Sequence, residues 1–501
     1  MKNKSFNLVT EKWIPTTSGT KSLLDVFQDG MKKDPSDIQI KDYDISGSVP
    51  ERVSILRLLL AITQASLAWK DNDFWEESKE SFPNKVVEYL EKWKDRFDLY
   101  SEKYPFLQDI TVPLVFPEAK SGGIFPVQAF DMRKSQGSTS TGFKSMVNVD
   151  TVTDADVAIG LITYLSYTIP SNGSRKTQTG PCIGPYGYLH TFWSGNSLIN
   201  TIYANILVEE DGLVKEYKDG IGRPVWEGTF MPNSLIGNYV PVHVPVLLGD
   251  GVYYQIANGK DPKYTISGIT NPTVCIKSVD NKGIRKFGYT DGNKRAWREL
   301  PSLLQFMDGS SLNGVPLIKS THERAEYISG IKLSCLGLSC SCSMGYPLLK
   351  DDSIEVSSTL VIPIIENTIE SKIWFNKYKE DIELMDEFNK RLRKAVNIYW
   401  GKLNHKKNGY ANKAQSIWWE RMEINSQSLI EGKWHPSEEY LLNCAREVFL
   451  EVCPTNTDRQ LKESVRAEFF LSQSTKVQPK SKSLKSKKSK GKTKTISEVV
   501  I

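Results

Sequence analysis

The sequence predicts an α+β protein in which a large mixed domain precedes a C-terminal four-helix bundle and a disordered lysine-rich tail. Short apolar segments separated by turn residues recur between Val242 and Ile365, which is typical of a strand-rich region. Apolar residues then recur at three- and four-residue steps from 371 to 471, the period of amphipathic helices. Residues 472–501 hold nine lysines and one glutamate, too little apolar surface for folding. We therefore expect domains over residues 1–370, 371–472 and 473–501.

The N-terminal elements follow from local patterns. Apolar segments at 5–10, 13–15 and 23–27 predict short strands and turns. Residues 51–69 predict a helix with apolar side chains on nearly all sides, as expected of a buried helix. A second, amphipathic helix is predicted around Val86, Val87, Leu90 and Trp93.

Two polar loops flank an apolar segment at 156–168 that predicts a helix or a strand. Residues 108–150 are dense in Pro, Gly, Ser and Thr, and so long a loop in a compact domain is often functional. The second loop, 171–180, combines glycines, hydroxyls and amides with the cations Arg175 and Lys176. Such a loop can meet a phosphate backbone, and an ordinary surface turn is the alternative.

The C-terminal half predicts strands at 242–248, 252–256, 273–276 and 360–365, followed by four helices. An apolar stripe from Tyr378 to Tyr399 marks the first helix, and the others are expected near 411–430, 437–452 and 457–472. We expect the last helix to pack through Leu461, Val465 and Phe469. Its start has the capping-box spacing of Thr457 and Gln460. Short connections between amphipathic helices imply a four-helix bundle.

Composition and charge restrict the class of protein. The 501 residues are 39% hydrophobic and 25% charged, as in soluble globular proteins. No apolar run approaches the roughly 18 residues of a membrane span, and no secretory signal is visible, so we expect a cytoplasmic protein without membrane contact. The net charge is +5, but the tail alone carries +8. Nucleic-acid binding by the rest of the chain therefore needs a local basic patch.

No familiar catalytic signature occurs, such as a phosphate-binding glycine loop or a zinc-protease helix. The seven cysteines are an odd number and favour reduced thiols. Cys335, Cys340 and Cys342 could supply soft ligands, but a fourth ligand at the usual spacing is missing, so a structural role is favoured. We expect no catalytic residues, metal or cofactor. A metal-dependent nuclease variant and a general RNA-binding scaffold acting through the tail remain alternatives.

Several segments, taken in order, resemble one known family. They are Asn7–Pro15, Asp95–Tyr100 with Tyr104–Gln108, Thr191–Gly195, Arg223–Trp226, and the stretch from Cys453 to Glu468. Their order and spacing are similar to those of the large subunit of the type I-E CRISPR Cascade complex, also called CasA. The resemblance covers about residues 5–472.

The resemblance implies a non-catalytic subunit of an RNA-guided antiviral complex. Such a subunit probes the short PAM beside a target in double-stranded DNA, promotes duplex opening and R-loop formation, and recruits a separate helicase-nuclease. The implied partners are other Cascade subunits, the CRISPR guide RNA, the target DNA and that helicase-nuclease. The implied fold is a large mixed domain followed by a four-helix bundle.

The resemblance also assigns residues. Met146, Val147 and Asn148 correspond to the loop that contacts the guide RNA and neighbouring subunits. The PAM-binding residues are expected in the second polar loop and at one of two lysines, namely Gly173, Ser174, Arg175, Lys176, Thr177, Gln178, Lys260 and Lys263. The strand-separating hairpin is expected at 339–344, with Ser341, Cys342, Ser343 and Met344 as the wedge. It would act either through Met344 as an apolar wedge or through backbone contacts that open the duplex. The second polar loop, 171–180, contains fewer glycines than the corresponding loop of the family. Arg175 or Lys176 would therefore read the minor groove by its charge and width.

Overall fold

The structure is a computed structural model of the chain, and it forms two compact units. It describes residues 4–32, 34–40, 45–112, 124–130, 152–167, 187–229, 231–242, 246–249, 253–256, 271–281, 283, 285–309, 313–339, 341–343, 346–348, 354–363, 369–403 and 409–472. One unit takes its described residues from 1–380 and 426–434, the other from 381–425 and 435–501. The division at residue 370 that the sequence suggests stays a prediction. The α+β class is confirmed by mixed helices and sheets followed by a helical C-terminal region.

The first unit contains α-helices that are distributed along most of its sequence. They are α1 (Leu23–Gly30), α2 (Val49–Ser66), α3 (Asn72–Glu77), α4 (Phe82–Lys92), α5 (Asp154–Tyr167), α6 (Leu198–Ala204), α7 (Gly212–Glu216), α8 (Leu235–Tyr239), α9 (Leu300–Leu303) and α10 (Pro316–Ala325). The predicted buried helix is confirmed as α2, which is closed at its start by the Ser48–Glu51 capping box. α2 packs against α4, α5 and α8, which explains its apolar residues on every side.

The prediction of a strand at 23–27 is wrong. These residues begin α1, because Ser22 caps the helix: its hydroxyl accepts the Asp25 amide, and the Asp25 carboxylate accepts the Ser22 amide. This reciprocal cap satisfies helix-start donors. The apolar segment 156–168 is also helical, as α5.

The sheets of the first unit are small and antiparallel. Their strands are β1 (Ile124–Pro126), β2 (Leu189–Ser194), β3 (Val246–Gly249), β4 (Tyr253–Ile256), β5 (Ile276–Val279), β6 (Arg285–Phe287), β7 (Lys332–Leu338), β8 (Ser341–Ser343), β9 (Tyr346–Leu348) and β10 (Glu355–Leu360). They are ordered β1-β4-β3, β10-β7-β2, β5-β6 and β8-β9. The central strand of the second sheet, β7, has six of its seven residues buried.

Two further strand predictions need correction. The strand expected at 273–276 begins only at Ile276, as β5, while Val274 forms an isolated bridge. A strand was expected at 360–365, but β10 ends at Leu360, opposite Leu333 of β7. Pro363 follows closely, and proline has no amide hydrogen to donate to a ladder. The strand therefore lies on the N-terminal side of the apolar run rather than within it.

The helices that follow are α11 (Ile369–Lys402), α12 (Tyr410–Glu423), α13 (Ser426–Ile430), α14 (Glu438–Val452) and α15 (Asp458–Ser472). The predicted apolar stripe on α11 is confirmed, because the apolar side chains that form it, from Tyr378 to Tyr399, are buried. The capping box of α15 is confirmed as well: the Thr457 amide donates to Gln460 Oε1, and the Gln460 amide donates to Thr457 Oγ1. None of the described helices combines the length and apolarity needed to span a bilayer.

The packing face predicted for α15 is wrong. Leu461, Val465 and Phe469 are 53%, 64% and 62% exposed, respectively. The buried side of the helix instead carries small and mixed residues, namely Glu463, Ser464, Ala467 and Leu471. Small side chains on this face allow a neighbouring helix to approach closely. The stripe of large apolar residues is more conspicuous in the sequence, but it does not mark the buried face.

Candidate nucleic-acid interface

Most of the predicted site residues lie outside the described residues. This holds for Met146, Val147 and Asn148, for Gly173, Ser174, Arg175, Lys176, Thr177 and Gln178, for Lys260 and Lys263, and for Met344. The backbone of Ser341, Cys342 and Ser343 is described. The site can therefore be built from the residues at which these segments join the described fold.

Three of the expected wedge residues, Ser341, Cys342 and Ser343, form β8, which pairs antiparallel with β9. Ser341 pairs with Leu348, and Ser343 pairs with Tyr346. This hairpin is inserted between β7 and β10, whose last common pair is Leu338 with Glu355. Just beyond that pair, the Ser339 amide donates to the Ile354 carbonyl at 2.8 Å, and the Ile354 amide donates to Ser339 Oγ at 2.7 Å. The hairpin thus leaves directly from one end of the second sheet.

The segment 168–186, which contains the PAM loop, begins and ends beside the first residues of β2. It follows Tyr167, the last residue of α5, whose ring lies 5.9 Å from the ring of His190. It rejoins the described fold at Gly187, two residues before β2 begins. Leu189 pairs with Gly337, next to the end of β7. Gly187, which follows the segment that contains the PAM loop, and Ser339, which precedes the hairpin, are therefore at the same end of one sheet.

The segment 257–270, which contains Lys260 and Lys263, also returns to β2. It follows β4 and is followed by Asn271. The Thr191 amide donates to the Thr273 carbonyl at 2.8 Å, and Val274 forms an antiparallel bridge with His190. Three segments that are distant in sequence are thereby joined to neighbouring positions in β2 and β7.

The segment 131–151, which contains the expected guide-RNA residues, is connected to the PAM segment through α5. A Thr153–Asp156 pair closes the start of this helix through reciprocal amide bonds. Asp154 fixes its first turn, accepting from Lys4 Nζ at 2.7 Å and from the Tyr100 hydroxyl at 2.6 Å. At 1.5 Å per residue, the 14 residues of α5 separate its ends by about 20 Å. The guide-contact and PAM segments therefore adjoin opposite ends of one rigid helix.

An aromatic cluster that sequence reasoning missed lies next to this sheet end. Tyr188 forms a bridge with Tyr289, and their ring centroids are 5.3 Å apart. The Thr290 amide donates to the Gly187 carbonyl at 2.7 Å. Tyr289 is 52% exposed, and exposed aromatic rings can stack on unpaired bases. The sequence feature that could have indicated this cluster is the stretch of basic and aromatic residues Arg285–Tyr289.

Gly337 permits the close approach of this aromatic segment to β7. A Cβ atom at Gly337 would lie 2.0 Å from Thr290 Oγ1, a distance that real side chains do not reach. Any larger residue would therefore push residues 287–290 away from the sheet end. The sequence alone does not show this requirement, because Thr290 is distant along the chain.

The cysteine cluster considered as a metal site is not assembled by the described side chains. Cys335 is buried in β7, and burial raises the pKa of its thiol to about 12. A protonated, enclosed thiol is a poor metal ligand. Within the part of the chain that the structure describes, no three potential ligands group together; Cys340 and the side chain of Cys342 lie outside that part, so the cluster as a whole stays untested.

Comparison with known proteins agrees with these features. A family model described as CRISPR-associated protein Cse1 matches residues 7–244. A curated relative, CRISPR-associated protein CasA/Cse1 of Thermus thermophilus, is 24% identical over 306 residues. The match covers 58% of this chain and 52% of the relative, so the chain spans about half the length of the curated relative that it matches.

Solved structures share the fold across nearly the whole chain. Cse1 from Acidimicrobium ferrooxidans superposes with a TM-score of 0.66 at 14% identity, covering 94% of this chain and 98% of that one. A chain of a structure described as a CRISPR RNA-guided surveillance complex gives a TM-score of 0.71 at 16% identity, covering 93% and 99%. The family match, the curated relative and this common fold together make the chain similar to the Cse1/CasA proteins, a group of CRISPR-associated proteins.

Proposed function

We propose that this chain is the non-catalytic large subunit of a Cascade surveillance complex, in which a CRISPR guide RNA directs binding to double-stranded DNA. In this role it recognises the PAM, promotes duplex opening and R-loop formation, and recruits a helicase-nuclease. The similarity to Cse1/CasA proteins supports the assignment to such a complex. The observation that carries the DNA-sensing role is that three segments with expected DNA contacts join the fold at neighbouring residues of β2 and β7.

PAM recognition is assigned to the loop 173–178 and to Lys260 or Lys263. The minor groove presents few distinguishing groups, mainly A·T against G·C. A short loop with Arg175 and Lys176 would therefore read groove width and charge, and would tolerate several PAM sequences. The body of the chain is net negative once the tail is excluded, so these local cations must supply the phosphate contacts.

Duplex opening is assigned to the hairpin of β8 and β9. The two paired strands of this hairpin follow β7 and precede β10 in the sequence, so the wedge would lie next to the second sheet. Met344, which follows β8 in the sequence, is the apolar residue proposed to enter the stack, and apolar wedges are common in proteins that kink DNA. Met146, Val147 and Asn148 are assigned to the guide RNA and the neighbouring subunits.

The test is binding by a guide-loaded Cascade complex, prepared with and without this chain, to duplexes with randomised bases beside the target. We expect the chain to confer binding that depends on those flanking bases. Flank-independent binding would restrict the chain to a scaffolding or recruiting role and would remove the PAM assignments.

A paired substitution tests the loop itself. Arg175→Ala with Lys176→Ala should weaken duplex binding while complex assembly is retained. Lys79→Ala with Lys85→Ala removes the same charge from the region of α4 and serves as the matched control. Equal affinity of the two double variants would exclude Arg175 and Lys176 from the PAM site.

A further inference from the structure

We propose that Thr273 is a positioning residue which, with Arg57 and His190, holds in place the residues that flank the two PAM-binding segments. This inference rests on the proposed function and adds a determinant of PAM recognition that does not touch DNA. The three residues come from α2, from β2 and from the stretch that follows segment 257–270. Each is fully buried.

Arg57 places a positive charge inside the apolar helix α2. Its guanidinium donates to Thr273 Oγ1 at 2.7 Å and to Asn271 Oδ1 at 3.0 Å. It also donates to the carbonyls of Asn238 and Tyr239 at the end of α8. All four of these acceptors are neutral. Burial lowers the pKa of Arg57 to about 10, which still leaves it charged at neutral pH.

A buried cation among neutral acceptors is costly, because desolvation of the charge is only partly offset by hydrogen bonds. A leucine or methionine in α2 would fill the helix interface without that cost. An apolar residue could not form the hydrogen bonds that Arg57 forms. The several N–H donors of its planar guanidinium connect the end of α8 to Asn271 and Thr273. These residues immediately follow the segment that carries Lys260 and Lys263.

Thr273 extends this connection to β2. Its Oγ1 lies 2.9 Å from His190 Nδ1, and its carbonyl accepts the Thr191 amide. One hydroxyl therefore contacts both the Arg57 guanidinium and the His190 ring. The Thr273 side chain is the point at which the α2 contacts and the β2 contacts meet.

His190 completes the path to the other segment. Its ring packs edge-on against Tyr167, which precedes segment 168–186, and its backbone lies three residues after Gly187, which follows that segment. The residues on both sides of segment 168–186 and the residues that follow segment 257–270 are thus linked through one buried group of side chains. We therefore expect a shift at Thr273 to displace the residues that flank both segments.

The experiment uses Thr273→Val, which keeps the side-chain shape and removes the hydroxyl. Thr63→Val is the matched control: Thr63 is also fully buried, but its hydroxyl bonds within α2 to the Leu59 carbonyl. Thr273→Ser retains the hydroxyl and is the rescue variant. Each is assembled into the guide-loaded complex, and Kd is measured for a PAM-flanked duplex and for the single-stranded target.

We expect Thr273→Val to raise the Kd for duplex about tenfold, the scale of a lost hydrogen bond to a charged group, with the single-strand Kd unchanged. Thr63→Val and Thr273→Ser should bind both targets as the unsubstituted chain does. An unchanged duplex Kd, or an equal loss for duplex and single strand, would overturn the positioning role.

Amide hydrogen exchange on the unassembled chain separates this inference from the proposed function. If the unsubstituted chain shows no flank dependence, the PAM role fails, and exchange then decides the positioning role. Thr273→Val should accelerate exchange at Leu189–Thr191 and in the last turn of α5, whereas Thr63→Val should not. Exchange that changes only at 271–274 would show that Thr273 does not connect the segments.

Discussion

Asp29 shows how one carboxylate can organise an irregular part of the chain. Burial raises its pKa, but hydrogen bonds from the Gln39 and Ile40 amides and from Lys32 outweigh that effect and hold the pKa below its ordinary value. The two amide contacts are 3.0 and 2.9 Å long. A carboxylate at the end of α1 therefore fixes a segment ten residues away.

Replacing Asp29 with Asn should lower the free energy of unfolding by about 2 kcal/mol at pH 7, the scale of hydrogen bonds to a charged group. Because the folded pKa lies below the unfolded value, the carboxylate stabilises the fold above about pH 4, and this contribution is lost as the pH falls through the folded pKa. Urea unfolding at pH 7 and pH 3 should show a smaller difference at pH 3. Asp73→Asn, at an exposed position in α3, is the control; an equal difference at both pH values would contradict this account.

Buried thiols provide a second residue-level prediction. Burial raises the pKa of Cys275, Cys335 and Cys453 to about 12, so at pH 8 almost no thiolate is present. Maleimide labelling followed by mass spectrometry should modify these three cysteines more slowly than the half-buried Cys444. Unfolding in guanidinium should expose all seven cysteines. Rapid labelling of Cys335 in the folded chain would reopen the metal-site alternative.

In helix α15, the spacing of the apolar residues predicts where the helix lies in the sequence. It does not predict which face of the helix is buried. The helix and its capping box follow from the sequence, yet Ala467 and Leu471 are buried while the larger stripe faces outward. Hydrophobic periodicity reports that a helix has an apolar face. It does not report which face packs inside the same chain.

A matched pair of substitutions tests this orientation. Leu471→Ala should cost about 3 kcal/mol, as for a buried leucine, whereas Leu461→Ala in the same helix should cost about 0.5 kcal/mol or less. Chemical denaturation of the two variants measures both values. Similar losses would mean that the stripe from Leu461 to Phe469 packs within the chain.

Charge is distributed unevenly over the whole molecule. The tail carries +8 and residues 1–471 carry −3, so the tail can add attraction to nucleic acid without adding sequence preference. Removing residues 473–501 should therefore leave flank-dependent binding intact and make the slope of log Kd against log salt concentration shallower. A salt titration of the assembled complex measures this, and complete loss of binding would favour the general RNA-binding scaffold.

Local signals were sufficient for some elements of this fold. The buried helix α2, the stripe of α11 and the cap at Thr457 depend on residues within a few positions of each other, so propensity and periodicity identify them. Residues 23–27 were misassigned because apolar runs of that length suit a strand or a helix, and the Ser22 cap was overlooked. The strand β7 was missed because its one serine and one glycine weaken the strand pattern.

The amino-acid sequence is enough to define the α+β class, the helical C-terminal region, the segregation of charge and the resemblance to the Cse1/CasA family, because these depend on composition, short-range periodicity and the order of motifs. It could not show that residues 168–186, 257–270 and 339–354 join the fold at neighbouring strands, or that Arg57, His190 and Thr273 meet. Those relations arise from strand pairing and burial between residues up to about two hundred positions apart. Long-range packing leaves no local signature, so the proposed interface and its buried support emerge only from the folded chain.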